Sequence, residues 1–285
     1  MHRSFFVFIL ITFFINTQAQ NFGIQIAPGI MNYGGDLQAK GYTFQNANFS
    51  LTGSLIYSIN KFSIRGSLTY GHVEGSDSAS TRVKERNLSF QSKIYEASLC
   101  VQYDFLKLDQ NNKITPYVFA GYGLFHFNPY TFYNSQQYYL HGMGTEGQGL
   151  AIYPDRKLYA LTQSEIPMGI GFKYKLSDNI FLGLEFCTRL LFTDYLDDVS
   201  KTYPDETALF NARGQIAVDL SFRGNELDPN KQFPSGAARG NSQQNDNYYT
   251  SVFSFIYVFP SGSHSGYYSG GHTKVKNIDC PKNMR

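Results

Sequence analysis

The sequence predicts an all-β protein, an antiparallel transmembrane β-barrel of eight strands, with ten as the alternative count. Three observations carry that reading: two-residue periodicity over long segments, connections that alternate in length, and an apolar outward parity. The plainest case is Gln163 to Phe192, two runs joined by Leu176-Ser177-Asp178-Asn179. Ile166, Met168, Ile170, Phe172, Tyr174 and Leu176 share one parity, against Gln163, Glu165, Gly169, Gly171, Lys173 and Lys175. Ile180, Leu182, Leu184, Phe186, Leu190 and Phe192 repeat the pattern against Gly183, Glu185, Cys187, Arg189 and Thr193. Successive strand side chains point to opposite faces, so each run has one oily and one polar side. Ser-Asp-Asn supplies the local bonding and positive φ of a hairpin turn. Such runs exceed the about 5–6 residues usual in soluble sheets and reach the about 9–11 that cross a bilayer.

The other elements follow in order. Met1-His2-Arg3, an apolar run from Phe5 to Ile15 and Asn16-Thr17-Gln18-Ala19-Gln20 have the order of a secretory signal peptide (1–19), cleaved between Ala19 and Gln20. The barrel is expected over 20–259. Its first strand, Phe22 to Ile30, sets Phe22, Ile24, Ile26 and Ile30 against Gln25, Ala27 and Gly29; a loop with Gly34-Gly35-Asp36 follows over 32–48. The second, Phe49 to Ile59, faces Phe49, Leu51, Leu55 and Tyr57 outward. Asn60-Lys61 turns into the third, Phe62 to Val73, where Ile64, Leu68 and Tyr70 oppose Ser63, Arg65, Ser67 and Thr69. A polar loop, 74–91, leads to the fourth, Ser92 to Phe105. There Tyr95, Ala97, Leu99, Val101, Tyr103 and Phe105 oppose Glu96, Ser98, Cys100, Gln102 and Asp104. After a turn over 109–112, the fifth strand, Ile114 to Phe127, is apolar and glycine-rich on both sides, and the pattern does not assign its faces. A Tyr/Gly-rich loop, 128–161, precedes the hairpin already described. A polar stretch, 194–247, precedes the eighth strand, Tyr248 to Phe259, and a Gly/Ser/Tyr tail, 260–285, expected to be poorly ordered alone.

The connections thus run long, short, long, short, long, short, long. Outer-membrane barrels have an even strand count, short periplasmic turns, long outer loops and, with that parity, both termini periplasmic. A soluble lipocalin-like barrel would carry a polar outward parity. Gln215 to Phe222 (QIAVDLSF) also alternates and is the source of the ten-strand alternative.

Composition adds exclusions. A formal charge of +2 gives no bulk electrostatic case for nucleic acid. Mean hydropathy is −0.30, which is uninformative for a barrel because half of every strand is polar. Beyond the first segment no run approaches the about 18 apolar residues of a membrane helix. Cys100, Cys187 and Cys280, odd in number and widely spaced, form neither a disulfide framework nor a metal knuckle. Cys100 and Cys187 read as small lumen-filling residues.

An eight-stranded ring leaves an interior that side chains can fill. Parity sends Arg65, Glu96, Asp104, Glu165, Lys173, Glu185 and Arg189 into it, and mixed charges there should pair into a polar plug rather than a pore. Catalysis has weak support. His126 is the best candidate base, with Ser164 or Ser92 as conceivable partners, but without a nucleophile signature a rim histidine bonded to loop backbone is the expected reading. Asp194-Tyr195-Leu196-Asp197-Asp198, with Asp205 and Glu206, offers oxygen ligands for Ca²⁺ but lacks calcium-loop spacing, so a solvated, self-capping loop is expected. Gly144-Thr145-Glu146-Gly147-Gln148-Gly149 follows no strand and opens no helix, so it is no phosphate cradle.

The same loops carry a resemblance. NYGGDL (32–37), RNLSF (86–90), TPYVFAGYGLFHFNP (115–129), GTEGQGL (144–150), LTQSEIPMGIGFKYKLSDN (161–179), FTDYLDDVSKTYPD (192–205) and RGNSQQND (239–246) resemble the PorG-type outer-membrane barrel family. That family includes a component of the type IX secretion system of Bacteroidota. The likeness spans nearly the whole mature chain in order; GTEGQGL and FTDYLDDV are its most specific blocks. They mark Thr145, Glu146, Gly147, Asp194, Tyr195, Asp197 and Asp198 as family-motif residues. The resemblance implies a barrel in outer-membrane lipid that contacts the periplasmic ring of the secretion and gliding machinery. It implies no enzymatic activity, cofactor or small-molecule substrate. The tail, with the short turns, is the expected contact with the ring. The alternative is a stand-alone structural or adhesin barrel, or a narrow porin.

Overall fold

In the computed structural model, residues 21–38, 43–44, 46–79, 83–108 and 112–260 are described. The predicted signal segment with Ala19 and Gln20, most of the turn at 109–112, and the tail from 261 with Cys280 lie outside them. Eight long strands form a ring: β1 (Asn21–Gly34), β2 (Asn48–Ile59), β3 (Phe62–Ser76), β4 (Ser89–Asp104), β5 (Ile114–His126), β8 (Thr162–Lys175), β9 (Ile180–Leu191) and β10 (Asn247–Val258). A short hairpin, β6 (Tyr130–Tyr133) and β7 (Gln136–Tyr139), and two helices, α1 (Glu206–Arg213) and α2 (Gln215–Ser221), lie in the connections. Every ring neighbour is antiparallel, and the β3–β4 and β1–β10 ladders close the cylinder, which leaves no free edge in the wall.

The strands run from 12 residues in β2 to 16 in β4, so they span a bilayer and continue beyond it at the long-loop end. At the other end the turns are short. Asn60 sits at φ 57°, a left-handed value that asparagine tolerates. The β8–β9 turn is closed by the Leu176 N–H donating to the Ile180 carbonyl at 3.0 Å. The first and last strands meet at this end, where the Phe259 N–H donates to the Phe22 carbonyl at 2.8 Å.

Outward positions of the described strands form an apolar belt. Leu68 is 69% exposed and Leu184 is 62%, with Ile24, Leu55, Leu99, Ile170 and Phe253 on the same surface. Water would charge about 25 cal/mol for each Å² of such surface, whereas hydrocarbon does not, so the belt fits a bilayer. Aromatic pairs rim it at both levels: Phe22 with Phe259 and Phe62 with Tyr103 near the short turns, and Tyr70 with Tyr95 near the long loops. Such girdles place amphipathic rings at the two membrane–water borders.

The expected eight-strand ring is present, and three details of the sequence reading are refined. Gln215 to Phe222 is not a strand pair: Ala217, Val218, Leu220 and Ser221 are its buried residues, a helical spacing, and the membrane ring has eight strands rather than ten. The loop over 128–161 contains the β6–β7 hairpin, fixed to the upper part of β4 through Gln91 and Tyr130. The faces of β5 are now assigned, with Tyr117, Phe119 and Phe125 inward and Val118, Tyr122 and Leu124 outward. The inward rings lie where β8 offers no side chain. Tyr117 is opposite Gly171 and Phe119 opposite Gly169, and a Cβ on either glycine would stand 2.4–2.5 Å from the facing ring.

Candidate functional site, a filled lumen beneath a buried cap

The lumen holds its charges in three groups. Nearest the short turns, Lys173 Nζ lies 2.6 Å from Asp104 Oδ2, and Gln102 Nε2 donates to Oδ1 of the same carboxylate at 2.7 Å. In the middle, the Arg65 guanidinium pairs with Glu185 at 2.5 Å and lies 4.2 Å from the Phe119 ring centroid, while the Tyr117 hydroxyl donates to Glu185 at 2.9 Å. Above them Arg189 Nε donates to Glu96 at 3.0 Å and its NH1 to Thr250 Oγ1 at 2.6 Å. The Tyr248 hydroxyl stands between Glu96 and Glu165, at 3.1 and 2.5 Å. All seven residues that parity sends inward are thereby brought onto one axis. Cys100 and Cys187 are free thiols packed against Tyr117 and Phe119 in the same interior. The void left among Arg65, Glu96, Cys100, Phe119, Glu185 and Arg189 is about 10 Å³. A single water needs roughly 10–15 Å³, so this void has room for about one water at most.

The long loops fold down over the ring as a cap. Leu37, Leu88, Phe127, Leu140, Leu196, Val199 and Leu220 from different loops join Met31, Phe90, Phe125 and Tyr248 of the strands in one apolar core. Polar groups of the motif loops are held within this layer. Glu146 accepts the Ser200 and Lys201 N–H groups at 2.9 and 3.0 Å and meets Arg239 NH1 at 3.2 Å. Thr145 donates its hydroxyl to Asp198 Oδ2, and Tyr159 donates to Oδ1 of the same carboxylate at 2.9 Å. Arg239 also donates to the carbonyls of Asp198 and Ser221. Asp197 takes the Tyr33 hydroxyl at 2.5 Å, and Asp246 takes the Leu196 N–H at 2.9 Å. A second clasp, Arg86 on Asp77 at 2.6 Å, also donates to the carbonyls of Asp36 and Arg239, tying three loops together.

This geometry revises one expectation and places the others. The Asp194–Asp198 segment is not a solvated loop: Leu196 and Asp198 are fully buried, and Tyr33, Thr145 and Tyr159 donate to Asp197 and Asp198 from elsewhere in the fold, while Asp197 also accepts the Val199 N–H within the segment. Asp205 instead caps α1, accepting the Ala208 N–H at 2.8 Å. Among the described residues no three His, Cys, Asp or Glu side chains gather as a metal site. The glycines at 144, 147 and 149 all adopt left-handed φ, between 59° and 79°, which accounts for the Gly-dense motif as a chain reversal. His126 Nδ1 contacts Thr162 Oγ1 at 3.0 Å on the outward face; Ser164 bonds Tyr122, and Ser92 accepts the Asn128 N–H on the buried face. The histidine therefore meets neither serine. Sequence reading missed Arg239, Asp246, Arg86 with Asp77, and Tyr33. RGNSQQND and RNLSF contain three of them, Arg239, Asp246 and Arg86, and charges inside otherwise bland loop motifs were the available signal.

A family model described as a domain of unknown function, DUF6089, matches residues 2–214. The chain belongs to the DUF6089 family. In this DUF6089 protein the match takes in the ring as far as β9, the GTEGQGL and FTDYLDDV loops and α1. No curated protein matches the chain. The solved structures that resemble it include three that each align over 85% of this chain and 100% of their own. They are Neisserial surface protein A (NspA), at 12% identity and a TM-score of 0.43; Ail, the attachment invasion locus protein of Yersinia pestis, crystallised with the heparin analogue sucrose octasulfate, at 10% and 0.40; and the N-terminal β-barrel domain of Pseudomonas aeruginosa OprF, at 15% and 0.37.

Burial pushes the cap acids of the DUF6089 protein upward: Asp198 to about 6, Asp194 to about 7, and Asp197 and Asp246 well above the carboxylate range. An acid whose folded pKa exceeds its unfolded value binds more protons when folded. Its contribution is full below the unfolded value near 3.8 and is lost as pH rises through the folded one. The cap should therefore be tighter at pH 5 than at pH 8. Hydrogen exchange at amides 195–199, corrected for intrinsic rates, should show more protection at pH 5; equal or lower protection there would refute the assignment.

Proposed function

We propose that the protein is a non-enzymatic outer-membrane barrel that anchors or assembles a periplasmic ring in a protein-secretion apparatus of the type IX kind. The observation that carries this reading is the filled and capped lumen: with about 10 Å³ left at its centre, the work falls to surfaces rather than to a passage. The resemblance of the motif loops to PorG-type barrels supports the choice of partner. On this reading the long loops face outward, and the short turns with both termini face the periplasm. Thr145, Glu146, Gly147, Asp194, Tyr195, Asp197 and Asp198 then serve the cap that keeps the barrel shut. The tail beyond Phe259 and the short turns form the contact with the ring.

Affinity purification of the native membrane complex should retrieve periplasmic ring proteins, and truncation after Phe259 should lose them while the barrel stays folded. Deleting the gene should impair export of secreted cargo; normal export would discard the secretion role. The ordered cap favours one second reading, a stand-alone structural or adhesin barrel, which normal export with lost surface binding would support. In planar bilayers the purified protein should be electrically silent, and steady single-channel conductance would overturn the plugged interior.

A further inference from the structure

The outward belt carries an indentation. On β2, β3 and β4, Gly53, Gly66 and Ala97 face outward among Leu55, Leu68, Leu99 and Leu124, leaving a depression of about 760 Å³. A Cβ at Gly53 or Gly66 would meet nothing within 4 Å, so the protein itself does not fill this space. Just above it, toward the long loops, Lys93, Tyr95, His126, Asn128, Tyr130 and Tyr139 line a polar cavity of about 310 Å³. The β4–β5 ladder fixes the relation of the two: Ala97 is opposite Leu124, and Tyr95 is opposite His126. They are stacked two residues apart on the same wall, on the order of 7 Å.

The upper cavity is cationic. Lys93 is exposed, and among the described residues it enters no ion pair; His72 lies directly across the β3–β4 ladder from it. The acid on this patch is Glu74, the next outward position of β3, which accepts from Gln91 at 3.5 Å. The β6–β7 hairpin folds against β4 and contributes Tyr130 and Tyr139 as the outer wall. A cationic, hydroxyl-lined cavity at the aromatic girdle, opening downward into an apolar groove at bilayer depth, has the outline of an amphiphile.

We propose that this wall binds one anionic, phosphate-bearing lipid, its phosphate at Lys93, His126 and the tyrosine hydroxyls and an acyl chain in the Gly53–Gly66–Ala97 depression. Charge complementarity selects the headgroup, since a lysine near a membrane surface contributes about 1 kcal/mol toward an anionic lipid. Continuity with the lipid-facing belt selects the chain, because the groove is already immersed in hydrocarbon. The proposal needs the membrane barrel but not the secretion role.

Native mass spectrometry of the detergent-purified full chain tests it, with phosphatidylglycerol, phosphatidylcholine of the same chains, or inorganic phosphate as probe. Phosphatidylglycerol should be retained roughly five- to tenfold better than phosphatidylcholine. Lys93→Gln should abolish that preference, bringing phosphatidylglycerol retention down to the level of phosphatidylcholine. Gly66→Leu, which fills vacant space, should weaken both lipids and keep the preference. Heat-modifiable migration on gels establishes that each variant is folded, and His126→Gln replaces Lys93→Gln if the latter fails. Equal retention of the two lipids, an unaltered preference in Lys93→Gln, a stable adduct with inorganic phosphate alone, or a second copy of the chain in place of lipid would each overturn the site.

Discussion

Replacing Arg239 with alanine is expected to unlatch the cap while the ring beneath stays closed. Arg239 is the cation that meets both Glu146 and Asp198, and all three side chains are almost completely shielded from water. Its removal strands two carboxylates in a low-dielectric layer and frees the carbonyls of Asp198 and Ser221. Breaking a buried pair by deleting one partner costs about 3–5 kcal/mol, a large fraction of the stability of any domain. The β-ladders do not depend on Arg239, so heat-modifiable migration should persist. Limited proteolysis in detergent should then cut the 144–150 and 194–201 loops at least tenfold faster than in the native protein. Unchanged cleavage would mean that the apolar core of the cap, rather than the ion cluster, holds it down.

Arg189→Met is the second large effect, and it strikes the ring itself. Arg189 compensates Glu96 directly, and the Tyr248 hydroxyl links Glu96 to Glu165. Without the guanidinium, two acids face one another inside the wall, at a cost again of about 3–5 kcal/mol. Urea titration of the folded, heat-modifiable band should show a lowered midpoint. The double substitution Arg189→Met with Glu96→Gln should recover most of the loss, because the interaction and not the side-chain volume is at issue. A single variant as stable as the native protein would show that the upper lumen is hydrated and its charges screened.

Parity made the membrane belt and the inward charges readable, because alternation at Leu99–Cys100–Val101 or Leu184–Glu185–Phe186 is a local property of one strand. The faces of β5 were not readable. Tyr117 and Phe119 point inward because Gly171 and Gly169 of β8 make room for them, a fact about register between two strands. QIAVDLSF misled for a related reason: eight residues are compatible with either period. Gly214, at φ 81°, lets α2 start directly after α1 and turn its buried residues into the cap. The cap acids were visible as residues but not as a cluster. Asp197 finds Tyr33, 164 positions away, and Asp246 finds it across 213. Such pairings are set by the way loops converge above a ring, and no spacing within FTDYLDDV encodes them.

The seam between β1 and β10 has a consequence for biogenesis. Gly34 is matched with Asn247 and Gly23 with Val258, so β1 waits for this neighbour until β10, far along the chain, has been synthesised. Until then its bare amides and carbonyls would template promiscuous association. A nascent molecule of this kind must be escorted in an unassembled condition, and trimming even the final segment of β10 would leave a cylinder that never zips shut.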